Sequence, residues 1–228
     1  MSKVKHPSNP TLFLCLGTSG AGLSTAINKA VKLGIVDKPP AQFTTRKLRP
    51  NEKSGDQYVP TTVDLLRKVS QHISIQGKLY GNVYGFFKPT IDKIKKTLSK
   101  RNLIVDTVNS PSEWKIMLGN NINIVSIFFA PEHPKFSTKR IILRAKNTGA
   151  KLSKNELTSR ILGSLKIIKN IWSYDYWVDT TNLNTILPKL TSIVYYHSFN
   201  ENKKPILKPI SGSKSEIHKL ISAYSTNN

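Results

Sequence analysis

In this 228-residue chain, the stretch whose residue types most directly imply chemistry is Gly17-Thr18-Ser19-Gly20-Ala21-Gly22-Leu23-Ser24-Thr25. Successive small residues let several backbone N–H groups turn toward one point, where they attract an anion. If the loop also opens a helix, the unpaired N–H groups and positive dipole end of that helix add to the attraction. The residues on either side supply this setting. Thr11 to Leu16 is an apolar run that reads as a buried strand. Ala26, Ile27, Ala30 and Val31 recur at helical spacing, and Gly34 closes the segment. Strand, glycine-rich loop and helix in that order distinguish a phosphate-binding loop from a chance run of glycines. The plain alternative is a strand-to-helix turn that needs only small residues.

Charge is the second chemical signal. Thirty-five Lys and Arg face thirteen Asp and Glu, a formal net charge of +22. From Lys135 to Lys169 there are ten basic residues and one acid, Glu156, and Lys93, Lys95, Lys96, Lys100 and Arg101 form a second basic run. Such an excess gathers polyanions, whether nucleic acid, acidic membrane or phosphoprotein. A solvated helix face with compositional lysine would look the same, since the chain is also rich in Asn and Ile. Redox and metal chemistry are not indicated. Cys15, the sole cysteine, lies in an apolar run, and the five histidines are scattered without ligand spacing. The apolar runs, such as Ile124 to Ala130, are too short to span a bilayer. Met1 to Pro10 is basic with no signal-like apolar stretch, so a cytoplasmic address is expected.

The elements that must position these groups follow from periodicity. Thr62 to Val69, Pro89 to Leu98, Ser112 to Leu118, residues 134–149, Leu152 to Trp172 and Leu183 to Val194 read as helices. Ser110 is placed to cap the third of these, and Leu157, Ile161, Leu165 and Ile168 form an apolar stripe on the fifth. Leu103 to Val108, Ile122 to Ala130 and Tyr174 to Asp179 read as buried strands, and Gly77 to Gly85 as a hairpin or curved ribbon. Strands alternating with helices predict an α/β fold, a parallel sheet with helices on both faces. Asn200 to Ser213 reads as a linker, and Ser215 to Tyr224 as a short helix that docks through Ile217, Leu220 and Ile221.

The spacing Gly17-x4-Gly22-x-Ser24 matches a Walker A loop, except that Leu23 stands where the motif has Lys. The missing ammonium would bridge nucleotide phosphates and stabilise a transferred phosphoryl group. Further on, Phe43-Thr44-Thr45-Arg46-Lys47-Leu48-Arg49-Pro50-Asn51-Glu52-Lys53-Ser54-Gly55-Asp56-Gln57-Tyr58 resembles the GMP-binding segment of guanylate kinases, and Gly81-Asn82-Val83-Tyr84-Gly85 is similar to their G-N-x-Y-G ribbon. Arg140 and Arg144 resemble the arginines of that family's mobile lid, Arg160 the arginine on its next helix, and Tyr174 to Val178 its late strand. The series runs in order across residues 11 to 196.

The resemblance implies a three-layer P-loop core (residues 11–34, 89–133 and 174–199), a small mixed GMP-type subdomain (35–88), a lid (134–150) and a long helix (152–173). A basic extension (1–10) precedes this domain of residues 11–199, and a linker with a short helix (200–228) follows it. Phosphate would be gripped by Arg46, Arg49, Tyr58 and Tyr84, with Glu52 and Asp106 retained beside them. ATP and magnesium belong to the site if the loop works, Ser24 being the magnesium contact and Arg140, Arg144 and Arg160 the catalytic arginines. The groups that would read guanine are missing. Ser74, Ile75 and Gln76 fall where the family has a Glu, Phe86 where it has Ser or Thr, and Val108 where it has a second Asp. Retained grip with lost reader and lost lysine resembles the non-catalytic guanylate-kinase-like domains of scaffold proteins. The expectation is therefore a degenerate member that binds a phosphoprotein or another anionic partner, with weak or no kinase activity. Two alternatives stay open: an active nucleoside monophosphate kinase, in which Lys47 or Lys78 replaces the lost ammonium, and a basic RNA-binding protein of a ribonucleoprotein assembly.

Overall fold

The computed structural model describes residue 7, residues 10–38, 40–49, 52–149 and 151–199, residue 207 and residues 209–225. Most of the N-terminal extension and of the expected linker thus lies outside the described residues. A parallel sheet is built from β1 (Thr11–Gly17), β6 (Leu103–Asp106), β7 (Asn123–Ala130) and β8 (Tyr176–Asp179), in the order β6-β1-β7-β8. Its registers place Cys15 beside Asp106 and Leu16 beside Phe128, with β1 in the middle.

Pleating sends alternate side chains to opposite faces, and the core follows that alternation. Phe13 and Cys15 join Ile127, Phe129 and Val178 on one face. There they pack against α1 (Leu23–Lys32) and α7 (Ile186–Phe199) through Ile27, Ala30, Leu190 and Ile193. Leu12 and Leu14 face the other way, onto α3 (Lys88–Leu98) and α4 (Pro111–Leu118) through Ile91, Ile94 and the fully buried Trp114. Farther along that face, Leu16 and Phe128 meet α6 (Lys154–Ile168) and α8 (Lys214–Ser225) through Leu165, Ile168, Ile217, Leu220 and Tyr224. The result is the three-layer α/β core expected from the alternation of elements.

Local chemistry sets the helix starts. Ser110 accepts from the Glu113 N–H while Glu113 accepts from the Ser110 N–H, a reciprocal cap reinforced by Pro111 in the first turn. Ser153 caps α6 by accepting from the Glu156 N–H. Some elements are shorter than periodicity suggested. The helix expected to reach Trp172 ends at Ile168, followed by a 3-10 turn at Ile171–Ser173, and β6 ends at Asp106 rather than Val108. After Asp106 the chain leaves the sheet toward the Ser110 cap, and Val108 lies in that connection.

A second sheet projects from the core in the order β3-β2-β5-β4, from β2 (Gln42–Thr44), β3 (Tyr58–Pro60), β4 (Ile73–Leu79) and β5 (Asn82–Phe87). β2 runs parallel to β3 and antiparallel to β5, so the small subdomain is mixed. The short helix α2 (Val63–Lys68) links β3 to β4, with Thr62 as its cap. α5 (Pro134–Asn147) follows β7 and lies against the glycine-rich loop.

Candidate functional site

The glycine-rich loop leaves β1 at Gly17 and enters α1 at Leu23. Its first turn is fixed by the Thr18 N–H donating to the Phe129 carbonyl and the Ala21 N–H to the Thr18 carbonyl, both at 3.0 Å. Gly20 and Gly22 have φ of 82° and 81°, a left-handed backbone that other residue types rarely adopt. Gly20 is needed for space as well: a Cβ there would lie 2.7 Å from the Ser137 carbonyl oxygen of α5. Gly17 through Thr25, including Ser19, Ser24 and Leu23, line a cavity of about 600 Å³. The opposite wall carries Arg46, Arg49, Tyr58, Tyr84 and Asp106, so both halves of the expected site open into one space.

Arg46 and Arg49 lie in the connection after β2, Tyr58 begins β3 and Tyr84 lies in mid-β5. Glu52 sits between the two arginines. It accepts from Arg46 Nη2 at 2.8 Å, from Arg49 Nη1 at 3.1 Å and from the Arg49 backbone N–H at 2.9 Å. Burial would raise the Glu52 pKa, but the bonds from Arg49 and Arg46 outweigh it and hold the carboxyl below its ordinary range. Two guanidiniums against one carboxylate leave a positive charge facing the cavity. The Arg46 guanidinium lies 4.9 Å from the centre of the Tyr58 ring, and the Tyr58 and Tyr84 rings meet edge-on at 6.0 Å. The four side chains therefore converge. Asp106, at the end of β6, approaches Gln57 Nε2 through Oδ2 at 3.4 Å. Burial pushes its pKa up to about 6, with Arg49 and Arg46 pulling the other way.

The arginines of the following helices divide. Arg144 of α5 and Arg160 of α6 line the cavity. Burial, and then the charges of Arg49 and Arg160, lower the Arg144 pKa to about 10, the mark of a cation held among cations. Arg160 donates to Glu156 Oε1 at 2.7 Å and to the Ser19 hydroxyl of the loop at 3.3 Å. Arg140, expected beside them, is placed differently. It donates to the carbonyls of Thr180 and Thr181 at 2.8 Å and weakly to Gly20 at 3.4 Å, and it lies outside the cavity wall. Its guanidinium ties α5 to the loop and to the end of β8.

No lysine stands among the described residues of the cavity wall. Leu23, in the lysine position, is 8% exposed and packs into the core with Ala26 and Ile27. Lys47 and Lys78, the expected replacements, are elsewhere: Arg46 Nη1 donates to the Lys47 carbonyl, and Lys78 borders a neighbouring cavity of about 780 Å³. Of the positions that would read a base, Ile75, Phe86 and Val108 are apolar, and two of these are out of reach. Ile75 and Phe86 are buried, and the Phe86 ring meets Trp114 edge-on at 5.6 Å. Val108 remains in the wall, beside Gly77.

Several residues of the site escaped sequence reading. Gln42 lines the cavity and donates to the Asp106 carbonyl at 3.0 Å. Tyr80, at the tip of the β4–β5 hairpin, reaches the glycine-rich loop, accepting from the Ser19 N–H at 2.9 Å. Tyr224, on the C-terminal helix, bonds to Thr18 of the loop and Ser137 of α5. Among the described residues no helix is long and apolar enough to cross a membrane, and no group of three His, Cys, Asp or Glu is placed to hold a metal.

The sequence and the fold are similar to those of known proteins. The guanylate kinase family model matches residues 9–196. The guanylate kinase of Hydrogenovibrio crunogenus is 26% identical over 187 residues, spanning 80% of this chain and 86% of its own length. That of Paraburkholderia xenovorans is 26% identical over 191 residues, spanning 83% and 80%. Among solved structures, guanylate kinase from Anaplasma phagocytophilum superposes with a TM-score of 0.60 at 19% identity, over 85% of this chain and 89% of that one.

Proposed function

The chain belongs to the guanylate kinase family, and we propose that it is a degenerate member that holds a phosphorylated or otherwise anionic partner in the retained phosphate pocket while transferring phosphate weakly or not at all. The observation that carries this reading is the composition of one cavity wall. Arg46, Arg49, Arg144 and Arg160 bring guanidiniums to it, Tyr58 and Tyr84 bring phenols, and Leu23 brings an apolar side chain where transfer chemistry needs an ammonium.

Each guanidinium presents N–H groups in a planar fork that fits phosphoryl oxygens, and each charge-assisted bond is worth about 1.5–3 kcal/mol. The Glu52 bonds hold Arg46 and Arg49 in position before a ligand arrives, so little ordering entropy is lost on binding. The glycine-rich loop and the N-terminus of α1 fit a second phosphate, and Ser24 offers a hydroxyl for magnesium. ATP bound there with magnesium would supply a transferable phosphoryl group. Loss of one electrostatic stabiliser costs roughly 10² to 10³ in rate, and here the loop lysine and the base-reading carboxylates are lost together. Discrimination among bases falls in the same way, because Ile75, Phe86 and Val108 offer no hydrogen bond to a base edge.

A second reading, an active nucleoside monophosphate kinase, is favoured by the loop and the arginine pair opening into one cavity and by relatives named guanylate kinase. Calorimetric titration with phenyl phosphate, GMP, ATP and a phosphopeptide library, alongside an assay of nucleoside diphosphate formation from each common monophosphate, decides between them. Micromolar to millimolar binding of a phosphorylated ligand, lost in Arg46→Ala, with negligible turnover supports the first reading. Steady turnover abolished by Arg46→Ala supports the second. Salt-sensitive RNA binding that survives Arg46→Ala and Arg49→Ala removes both, in favour of a diffuse basic surface.

A further inference from the structure

Tyr80 and Gly81 are the two residues between β4 and β5. Both have positive φ, 49° and 79°, as a two-residue hairpin turn of type I′ requires. Asn, Asp or Gly normally fills the first of these positions because a larger side chain is strained in the left-handed region. Tyr80 is the only non-glycine residue with positive φ among the described residues. The turn gains nothing from a tyrosine, so the reason for it lies in its side chain.

That side chain crosses to two other parts of the molecule. Its ring lies against α6 at Gly163, where a Cβ would come within 2.3 Å of Cδ1 and Cε1, so the helix receives the ring only because that residue is glycine. Its phenol oxygen accepts from the Ser19 N–H of the glycine-rich loop at 2.9 Å and is 3.2 Å from the Ser164 hydroxyl. Ser164 Oγ is itself 3.3 Å from the Ser19 N–H and donates to the Arg160 carbonyl at 2.8 Å. Burial keeps the phenol protonated. Tyr80 and Ser19 both line the cavity that the loop shares with the arginine pair.

We propose that Tyr80 is a built-in competitor for the phosphate-binding loop: its phenol oxygen takes the Ser19 N–H that an anion's oxygen would take, and an anion seated in the loop displaces it. The hairpin tip then leaves Gly163 and the strain in its turn can relax. Occupancy of the loop is thereby linked to the position of β5, the strand that carries Tyr84 to the phosphate pocket. The proposal rests on the loop being an anion site and does not require the arginine-pair reading.

The test uses inorganic pyrophosphate as the loop probe, titrated by calorimetry into the full chain. Tyr80→Phe keeps the ring on Gly163 and removes the competing oxygen, so pyrophosphate should bind about three- to tenfold tighter, the range of one net hydrogen bond. Gly163→Ala expels the ring and should tighten binding in the same direction. The double variant should bind no tighter than Gly163→Ala alone, because both changes release one contact. Amide exchange at Ser19, read by NMR without ligand, should be faster in Tyr80→Phe. Weaker binding in Tyr80→Phe would make the phenol a ligand of the anion instead. Unchanged binding, or pyrophosphate binding absent from all four proteins, would equally overturn the proposal. Phenyl phosphate, which probes the Arg46 and Arg49 pocket, is titrated in parallel. Its failure to bind would remove the proposed function and leave the pyrophosphate and amide-exchange results to judge Tyr80.

Discussion

Replacing Asp106 with asparagine should stabilise the protein at neutral pH and flatten its pH dependence in mild acid. Asp106 ends β6 at the cavity wall with its carboxyl enclosed, and among the described residues no side chain pairs with it as an ion. Burial raises its pKa from 3.8 to about 6, and the charges of Arg49 and Arg46 only partly offset that. The sign follows from linkage. Below about pH 4 the carboxyl is protonated in both folded and unfolded chains and costs nothing. Between about pH 4 and 6 the unfolded chain ionises first, so stability falls as pH rises, and above pH 6 the loss is complete. At about 1.4 kcal/mol per pH unit the full gap is worth about 3 kcal/mol, and water in the cavity screens it to about 1–3 kcal/mol. Urea unfolding of wild type and Asp106→Asn at about pH 3.5, 5.5 and 7.5 reads the difference directly, since the other groups are common to both. The variant should match wild type at the lowest pH and exceed it by about 1–3 kcal/mol at the highest. A variant less stable at pH 7.5, or a gap that does not change with pH, would refute the reasoning.

Three more outcomes follow from the same geometry. Sulfate, whose charge is constant over this range, should bind several-fold tighter at pH 5 than at pH 8, because ionised Asp106 puts a negative charge beside Arg46 and Arg49; calorimetry at fixed ionic strength checks it. Phe86→Ser, which restores a hydroxyl at a base-reading position, should cost about 3–5 kcal/mol, because the ring is buried against Trp114, and should bring no preference for GMP; thermal melting and competitive titration read the two effects. Truncation after Ser213 removes the buried Ile217, Leu220 and Tyr224, each worth about 1.5–3 kcal/mol of burial. It should lower the melting temperature by roughly 10 °C or more, and a melting curve identical to that of the full chain would show that α8 does not stabilise the domain.

The core of the fold was legible because its rules are local. The apolar runs of β1 and β7, the capping serine at Ser110 and the glycines of the loop each announce their element within a few residues. The convergence of Arg46, Arg49, Tyr58 and Tyr84 on one cavity was legible because they fall in ordered motifs. The contacts of Arg140 were not legible because its motif position says nothing of the backbone carbonyls of Thr180 and Thr181, forty residues away, that accept from its guanidinium. Tyr80 and Gly163 were missed for a related reason. Each is unremarked alone, and only the folded hairpin lying across α6 shows that one fits the other. The ends of β6 and α6 were overrun because apolar periodicity continues past the point where Val108 and Trp172 leave their elements.

The central claim is that a phosphoryl group is still held while the base attached to it is no longer read. Calorimetric titration of the wild-type chain with GMP and with UMP, at one pH and one salt concentration, tests it most directly. The account predicts dissociation constants within about threefold of each other, both weakened by tenfold or more in Arg46→Ala. A hundredfold preference for GMP would contradict it.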